Sequence, residues 1–239
     1  MKIFIILPSR LESSRLKRKL LRKIGDYLLI EHMIFTAKKH KHATIIVASD
    51  SHDICKYATL HGVDHAFSRK SFNNGSERVY DAAKKYNAKE NDIIINLQAD
   101  EFNINYKIIT KLINYLIKNP KHNIVTPAYL TKEKSEFMNK NYVKVIVNNE
   151  NQAITFTRRP TSSIKNKYLI HMGVYAYRFK SLAKFVKLGV CNYEINESLE
   201  QLRLIWNNVP IYCLLTKKDN SIGINSLSDL IKARKIYEY

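Results

Sequence analysis

The amino-acid sequence predicts an α/β protein with a doubly wound, mostly parallel sheet, and two features of the chain support this prediction. Over the first half, short apolar runs rich in Ile and Val alternate with segments that have helical periodicity. Runs of this kind are typical of parallel strands that are covered on both faces. The alternation itself is the second feature, because a helix after each strand returns the chain to the start of the next parallel strand.

The first half contains these elements in regular order. The apolar runs predict strands at Ile3–Leu7, Thr44–Ala48 and Asp92–Leu97. Apolar residues recur at helical spacing in the segments between and after them, which predicts helices at Leu29–Lys39, His52–His61, Glu77–Tyr86 and Tyr106–Lys118. This order of strands and helices favours a Rossmann-like sheet.

The pattern changes after about residue 128, where strands become more frequent. Strands are predicted at Val143–Val147, Ala153–Thr157, Ile170–Tyr177 and Ile211–Thr216. Helices are predicted at Lys180–Lys187, Glu194–Trp206 and Leu227–Tyr237. Because no Gly-, Pro- or Ser-rich linker separates the halves, we predict a single domain over residues 1–239. It comprises a first half (1–128), an inserted β-rich lobe (129–215) and a closing segment with a helix (216–239).

The formal net charge is +19, with basic residues spread along the chain and no basic tail. The densest clusters are Arg15–Lys19 and Lys38–Lys41. Clusters of this kind are mostly solvated surface, and their field favours anionic ligands. A nucleoside triphosphate or a sugar acid satisfies this charge as well as a nucleic acid does, so we expect no nucleic-acid partner. A nucleic-acid-binding protein is the alternative that charge alone supports.

The cysteines and the N-terminal residues indicate the compartment. Three cysteines, Cys55, Cys191 and Cys213, are widely separated and form no C-x-x-C pair. This pattern does not predict a metal site, a redox motif or a disulfide framework. The apolar stretch Ile3–Leu7 is too short for a signal peptide, and no longer apolar run could span a membrane. We therefore expect a soluble, cytoplasmic protein without a membrane partner.

The loop after the first predicted strand is strongly basic and rich in hydroxyl groups. It reads LPSRLESSRLKRKLL from Leu7 to Leu21. Ligands of open α/β sheets bind beyond the carboxyl ends of the strands, and arginine and serine donors there suit phosphate. The chain has neither a Walker G-x-x-x-x-G-K sequence nor a G-x-G-x-x-G sequence, so an ordinary exposed loop is an equal alternative. The donors are Ser9, Arg10, Ser13, Ser14, Arg15, Lys17, Arg18 and Lys19.

A carboxylate follows the third predicted strand, in the segment NLQADE from Asn96 to Glu101. Asp100 would face the same crevice as the basic loop. Magnesium prefers oxygen ligands and commonly takes one or two carboxylates together with substrate phosphates. Asp100 is therefore the candidate Mg²⁺ ligand, and a helix N-cap or turn residue is the alternative.

Short motifs recur along residues 3–230 in a fixed order. The basic loop is followed by NNGSER (73–78), NLQADE (96–101), VKVIVNNENQAITFTR (143–158), HMGVYAYR (171–178), LEQLR (199–203) and GINSLSDL (223–230). Each resembles a motif of the CMP-KDO synthetases: the basic loop resembles IPAR-x-x-S-x-R-L-P-x-K-P-L, NNGSER resembles SGTER, and NLQADE resembles N-x-QGDEP. The segment 143–158 resembles the family segment that ends in YFSR, and HMGVYAYR resembles H-x-G-x-Y-x-Y-R. LEQLR is identical in the family, and GINSLSDL resembles GIDTPEDL. This family consists of 3-deoxy-manno-octulosonate (KDO) cytidylyltransferases. The resemblance implies a nucleotidyltransferase with a Rossmann-like sheet and an inserted β-rich lobe.

The resemblance also implies which residues contact each ligand. The implied nucleotide-binding residues are Leu7, Ser9, Arg10, Ser13, Arg15, Lys19, Gly75, Ser76, Arg78, Gln98 and Asp100, of which Arg10, Arg15, Lys19 and Asp100 are catalytic. The implied sugar-acid-binding residues are Gln98, Arg158, His171, Tyr175, Glu200 and Gln201. Asp100 and Asn225 stand at the metal positions, with Mg²⁺ as the implied cofactor. Residues 1–128 would then bind nucleotide, and residues 129–215 the sugar acid or a second subunit.

The implied reaction is the transfer of CMP from CTP to the anomeric hydroxyl of a 2-keto-3-deoxy sugar acid, with release of pyrophosphate. KDO is the implied acceptor, for lipopolysaccharide or capsule synthesis, and a homodimer is the implied assembly. Phosphoryl-type transfer needs mainly positioning and charge neutralisation. The absence of a Ser-His-Asp or Cys-His pattern agrees with this mechanism.

The chain departs from the family pattern at several positions. Asn225 replaces a metal-binding Asp, while Ala99 and Phe102 replace the Gly and Pro of QGDEP, and Phe72 replaces a His. An amide oxygen can bind Mg²⁺ but contributes no charge. Two alternatives therefore stay open: a cytidylyltransferase for a modified or different acidic sugar, and a weakened paralogue that only binds nucleotide or sugar.

Overall fold

A mixed sheet of ten strands forms the centre of the computed structural model, which describes residues 1–13, 15–159 and 168–237. The strands of the described residues are β1 (Ile3–Ser9), β2 (Lys23–Ile24), β3 (Tyr27–Leu28), β4 (Thr44–Ser49), β5 (Asp64–Phe67), β6 (Ile93–Leu97), β7 (Glu101–Phe102), β8 (Ile124–Tyr129), β9 (Lys144–Val147), β10 (Ala153–Thr157), β11 (Tyr168–His171), β12 (Val174–Arg178), β13 (Tyr212–Thr216) and β14 (Ile222–Gly223).

The helices are α1 (Leu29–Lys38), α2 (His52–Leu60), α3 (Gly75–Lys85), α4 (Tyr106–Lys118), α5 (Lys134–Met138), α6 (Phe179–Phe185), α7 (Asn192–Glu197), α8 (Leu202–Trp206) and α9 (Leu227–Tyr237). A 3₁₀ turn covers Lys19–Leu21. None of the helices in the described ranges has the length and apolar character needed to cross a membrane.

The predicted doubly wound sheet is confirmed in the first half. Strands β5, β4, β1 and β6 lie side by side and parallel. Alternate residues of β1 face opposite cores, because successive side chains of a strand point to opposite faces. Ile5 and Leu7 pack on the face covered by α1, α2, α4 and α9, whereas Phe4 and Ile6 pack on the face covered by α3, α6 and α8.

The strands of the second half continue the same sheet. Strand β12 pairs antiparallel with both β6 and β8, and β13 pairs parallel with β8. Strands β11, β9 and β10 then extend the sheet in antiparallel order to its far edge. The β-rich segment is therefore joined to the parallel strands through β12, and the sheet as a whole is mixed.

Two predicted elements are each divided in the structure. The strand predicted at Ile170–Tyr177 breaks into β11 and β12 at a tight turn around Gly173, where the Val174 N–H donates to the Met172 carbonyl at 2.7 Å. A Cβ at position 173 would lie only 2.8 Å from Glu101 Oε1. The helix predicted at Glu194–Trp206 breaks into α7 and α8 at Ser198, whose φ of 52° lies in the left-handed region. Strands β5 and β8 were not predicted, and both complete the sheet.

Candidate active site

A cleft of about 250 Å³ lies beyond the carboxyl ends of β1 and β6. Ligands of open α/β sheets bind at this edge. It is lined by Pro8, Arg10, Ser13, Arg15, Lys19, Leu20, Phe72, Asn73, Asn74, Gly75, Arg78, Gln98, Ala99, Asp100 and Asn225. A larger cavity of about 570 Å³, between α1 and residues 102–106, is lined by none of the residues implied for the nucleotide, the sugar acid or the metal.

The basic loop forms one wall of the cleft, as the sequence predicts. Its start is fixed by the backbone N–H of Leu11, which donates to Asp50 Oδ1 at the end of β4 (3.0 Å). Arg18 then adopts a left-handed conformation (φ 50°) before the 3₁₀ turn, where Leu20 is buried. This turn directs Lys19 inward, and its ammonium lies 2.6 Å from Asp100 Oδ2.

Both expected metal positions are contacted by cations of this loop. Lys19 pairs with Asp100, and Arg15 Nη2 donates to Asn225 Oδ1 at 3.0 Å. In the described part of the chain, no group of three or more His, Cys, Asp and Glu residues is arranged to hold a metal. One carboxylate and one amide oxygen still suit Mg²⁺, which retains several waters and binds substrate phosphates. The donor set is compatible with Mg²⁺ and not with a closed all-protein site.

The opposite wall is formed by the start of α3 and the end of β6. Gly75 packs against Gln98 so closely that a Cβ at position 75 would lie 3.1 Å from Gln98 Nε2. Arg78 Nη2 is held by Asp50 Oδ2 at 2.8 Å, and its guanidinium lies over the ring of Phe72. Asp50, which the sequence analysis did not single out, thus supports both the basic loop and Arg78.

A chain of hydrogen bonds leads from this wall into the second half of the protein. Gln98 Nε2 donates to Asn96 Oδ1 (3.1 Å), and Asn96 Nδ2 donates to Ser76 Oγ (3.2 Å). Ser76 Oγ then donates to Glu200 Oε1 at 2.7 Å. Burial raises the pKa of Glu200, and the Ser76 hydrogen bonds oppose that rise. The structure therefore joins residues implied for the nucleotide directly to one implied for the sugar acid.

Of the residues implied for the sugar acid, Arg158 follows β10, His171 ends β11, Tyr175 lies on β12, and Glu200 and Gln201 directly precede α8. His171 and Tyr175 have ring centroids 5.2 Å apart. Burial, and then the charge of Arg158, lowers the pKa of His171 from 6.5 to about 3. Tyr175 is 4% exposed, and Gln201 is 5% exposed where α8 begins.

The lowered pKa of His171 favours a neutral imidazole near pH 7. Thr126 Oγ1 donates to the Val174 carbonyl at 2.7 Å, so it accepts a hydrogen bond from His171 Nε2 at 2.8 Å. The other ring nitrogen, Nδ1, is then an acceptor suited to a hydroxyl. Arg158 is therefore the cation among the residues implied for the sugar acid.

Three residues implied for the nucleotide, Leu7, Ser9 and Ser76, are not among those that line the cleft. Ser76 is buried on α3, where it is bonded to Glu200. The side chain of Leu7 is fully buried in the core, and its carbonyl accepts a hydrogen bond from Ser9 Oγ (3.0 Å). Ser9 is also fully buried. Both lie on β1, whose alternate side chains fill the two cores, so their side chains are unsuited to contact a nucleotide. Ser14 lies outside the described residues.

Glu101 is a further acidic residue that the motif comparison did not assign. Burial raises its pKa to about 8, and the nearby carboxylates of Asp100 and Asp219 act in the same direction. Its side chain occupies the space left by Gly173, and it lies near Gly223 as well. No spacing signal in the sequence could have indicated this contact, because β7 and β14 pair across a long separation.

A cationic loop at the carboxyl edge of the parallel strands, with a carboxylate opposite that loop, is the arrangement expected of a nucleotidyltransferase. Residues 4–218 match the family described as cytidylyltransferase. The chain belongs to the cytidylyltransferase family, and it is a CTP-dependent enzyme of this class.

Individual relatives support the same assignment. The chain is 32% identical over 239 residues to a 3-deoxy-manno-octulosonate cytidylyltransferase of Polynucleobacter asymbioticus, covering 97% of this chain and 94% of the relative. It is 29% identical to the protein of that name from Francisella philomiragia, covering 99% and 98%. A solved CMP:2-keto-3-deoxy-manno-octonic acid synthetase complexed with CTP superimposes with a TM-score of 0.90 at 29% identity, covering 100% and 99%. The resemblance inferred from the motifs is confirmed.

Proposed function

We propose that this protein transfers CMP from CTP to the anomeric hydroxyl of KDO and releases pyrophosphate. The observation that carries the proposal is the hydrogen bond between Ser76 and Glu200 (2.7 Å), which joins the two groups of residues. A transferase needs its two substrates in reactive contact, because proximity supplies much of the catalytic effect. The names of the relatives identify CTP and KDO as the substrates to test.

On the nucleotide side, the basic loop is suited to the triphosphate. Arg10, Arg15 and Lys19 line the cleft together with the hydroxyl of Ser13. As the anomeric oxygen attacks the α-phosphorus and the bond to the bridging oxygen breaks, negative charge accumulates on the departing pyrophosphate. Fixed cations stabilise that charge without reorganisation. Asp100 and Asn225 would hold Mg²⁺, which when bound neutralises phosphate charge.

On the sugar side, donors and acceptors match a polyhydroxy acid. The Arg158 guanidinium suits the carboxylate, because a planar guanidinium can bind both of its oxygens. Neutral His171, with Nε2 bonded to Thr126, presents an acceptor to a hydroxyl. Glu200, held by Ser76, supplies carboxylate acceptors for further hydroxyls. Gln98, which lines the cleft, would contact both substrates.

The experiment is pyrophosphate release from CTP with a panel of acceptors. The panel contains KDO, its 8-amino analogue, N-acetylneuraminate and the C1 amide of KDO. We expect release with KDO, weaker release with the amide, and no release when ATP, GTP or UTP replaces CTP. Release only with the 8-amino analogue or N-acetylneuraminate would identify a different acidic sugar as the substrate.

A second candidate function, a weakened paralogue that only binds its ligands, is favoured by one residue. Asn225 stands where the family has a metal-binding aspartate, and it is already engaged by Arg15 at 3.0 Å. A protein of this kind would bind CTP and KDO in calorimetry and release no pyrophosphate at any Mg²⁺ concentration. Turnover by the unmodified protein excludes it.

A homodimer is the proposed assembly. Tyr193 of α7 and Trp206 of α8 lie with ring centroids 5.2 Å apart, and both are more than half exposed. Ile154, on the strand β10 that α8 packs against, is also exposed. Aromatic residues are enriched at the centres of protein interfaces. Sedimentation analysis of the unmodified protein and of Trp206→Asp tests the proposal; a monomer in both cases contradicts it.

A cytoplasmic location is proposed on chemical grounds. Cys55, Cys191 and Cys213 are buried free thiols. Free thiols persist in reducing compartments, where disulfides are rare. Fractionation of cells that produce the protein, with antibody detection, tests the location; recovery in the membrane fraction contradicts it.

A further inference from the structure

Lys144 is the most completely buried lysine of the described residues, with no exposed surface. It lies on β9, paired with Thr157 of β10 on one side and Ile170 of β11 on the other. Within the described ranges it forms no ion pair with a carboxylate. Lysine is almost never fully buried without a partner, since removing an ammonium from water is costly. This position therefore requires an explanation beyond packing.

The ammonium of Lys144 is bonded to backbone carbonyls. Nζ donates to the carbonyl of Asn139 at 2.8 Å and to the carbonyl of Arg158 at 3.3 Å. The first bond holds the segment after α5, and the second holds the end of β10. Burial lowers the pKa of Lys144, and the charge of Arg158 lowers it further.

Glu197 also bonds to the backbone of Arg158. Its Oε2 accepts from the backbone N–H of Arg158 at 2.8 Å and from Thr157 Oγ1 at 3.0 Å. Its Oε1 pairs with Arg159 Nε at 2.9 Å. The N–H and the carbonyl of Arg158 are thus each bonded to a charged side chain, one from α7 and one from β9.

The guanidinium of Arg158 is the part of this residue that stays available. It forms no ion pair with a carboxylate in the part of the chain that the structure describes, and its only hydrogen bond there is a long one to the Lys140 carbonyl (3.5 Å). Burial, and then the charge of Arg15 in the basic loop, lowers the pKa of Arg158. The charge of Arg158 adds to the effect of burial in lowering the pKa of His171. A partly exposed guanidinium between the two groups of site residues is suited to an anion.

We propose that Lys144 and Glu197 are positioning residues, which hold the backbone of Arg158 so that its guanidinium meets the carboxylate of the acceptor. This inference rests on the proposed function. Neither residue touches the substrate. Glu197 bonds to the Arg158 backbone and to Arg159, and in the described residues it forms no ion pair with the Arg158 guanidinium, although its charge opposes the lowering of the Arg158 pKa. Lys144 adds positive charge near Arg158.

The kinetic test compares Lys144→Met and Glu197→Ala with a matched control, Arg178→Met. Arg178 is an equally internal cation bonded to backbone carbonyls, but it lies where β12 pairs with the start of β6, away from the cleft. We expect KM for KDO to rise about tenfold or more in the first two variants, with the Kd for CTP unchanged, since a lost bond to a charged group has an effect of this order. Arg178→Met should lower stability and leave KM for KDO unchanged.

Two further variants separate positioning from a general packing role. Glu197→Gln keeps an oxygen that can accept from the Arg158 N–H, so it should retain most of the affinity for KDO. In an Arg158→Ala background, Lys144→Met should cause no further rise in KM, because the two changes remove the same interaction. Additive effects in that background, or an equal rise for the C1 amide of KDO, would overturn the proposal.

Hydrogen exchange supplies a measurement that does not depend on turnover. The Arg158 amide should lose protection in Lys144→Met and Glu197→Ala but not in Arg178→Met. Unchanged protection overturns the positioning role even in an active enzyme. An unmodified protein that releases no pyrophosphate with any sugar acid overturns the proposed function instead, so the two failures are distinguishable.

Discussion

The ammonium of Lys19 lies 2.6 Å from Asp100 Oδ2, so a cation of the basic loop is paired with the expected metal ligand. Arg15 makes the corresponding contact with Asn225. Triphosphate bound to the loop cations would leave the oxygens of Asp100 and Asn225 to hold Mg²⁺. The same four side chains would then exchange partners.

The first prediction concerns Asp100. Asp100→Asn should lower kcat by about a hundredfold or more, because it removes the carboxylate expected to anchor the metal. It also removes the partner of Lys19, which leaves that cation free for phosphate. CTP binding without metal should therefore be unchanged or tighter in calorimetry, while turnover is lost. Retention of most activity at ordinary Mg²⁺ concentrations would show that Asp100 is not the metal ligand.

The second prediction concerns Asn225. Asn225→Asp should lower the Mg²⁺ concentration required for half-maximal pyrophosphate release. At an effective dielectric constant of about 20, a unit charge about 4 Å away contributes roughly 4 kcal/mol before desolvation. Arg15, 3.0 Å from the Asn225 oxygen, would pair with the new carboxylate and reduce that gain. An Mg²⁺ titration of both forms measures the difference; saturation of the unmodified protein at the lower concentration would contradict the prediction.

The third prediction concerns nucleotide selectivity. CTP with Mg²⁺ should raise the Tm more than ATP, GTP or UTP at equal concentration, because a ligand of the native state stabilises it by mass action. At a free concentration of 100 times Kd, the stabilisation is about 2.7 kcal/mol. Differential scanning fluorimetry measures the shifts. Equal shifts for all four triphosphates would indicate nonspecific attraction to a protein of net charge +19.

The fourth prediction concerns the acceptor. Gln201→Ala and His171→Ala should each raise KM for KDO while the Kd for CTP stays within about twofold. Both residues lie on the side of the Ser76–Glu200 hydrogen bond that belongs to the second half of the chain. Steady-state kinetics with each substrate varied in turn provides the measurement. An equal loss of CTP affinity would show that the two groups of residues do not serve separate substrates.

The fifth prediction concerns pH. Burial lowers the pKa of His171 from 6.5 to about 3, so the unfolded chain binds a proton between these values that the folded protein does not. The stability associated with neutral His171 is therefore present above pH 6.5 and is lost progressively as the pH falls toward 3. Urea unfolding across this range should show a smaller loss of stability in His171→Gln than in the unmodified protein. Identical pH dependences of stability in the two proteins would contradict the lowered pKa of His171.

The sequence was sufficient for the elements that have strong local signals. Helix α4 begins and ends where the apolar spacing placed it, and the buried strands β1, β4 and β6 were found within two residues. Strand β8 was missed because its segment, IVTPAY, contains a proline and a threonine, although all six residues are buried. Its surroundings, not its own pattern, determine its conformation.

The sequence identified site residues that lie in the short motifs and missed residues that support them from outside those motifs. Arg15, Lys19 and Asp100 lie in the cleft as the motifs implied. Asp50, Lys144 and Glu197 could not be found, because each is paired with a residue far away in the chain. The neutral state of His171 was also inaccessible, since it depends on burial and on a contact with Thr126.

Strand β6 has consequences for how the chain folds, because it is hydrogen-bonded to β1 on one side and to β12 on the other. A fragment ending near residue 128 would leave one edge of β6 without a partner. Unpaired edges of apolar strands promote aggregation. The two halves should therefore unfold in one cooperative transition and fail to assemble when produced as separate polypeptides. A chain that binds two different substrates has in this way become a single folding unit, formed only after its C-terminal strands have been synthesised.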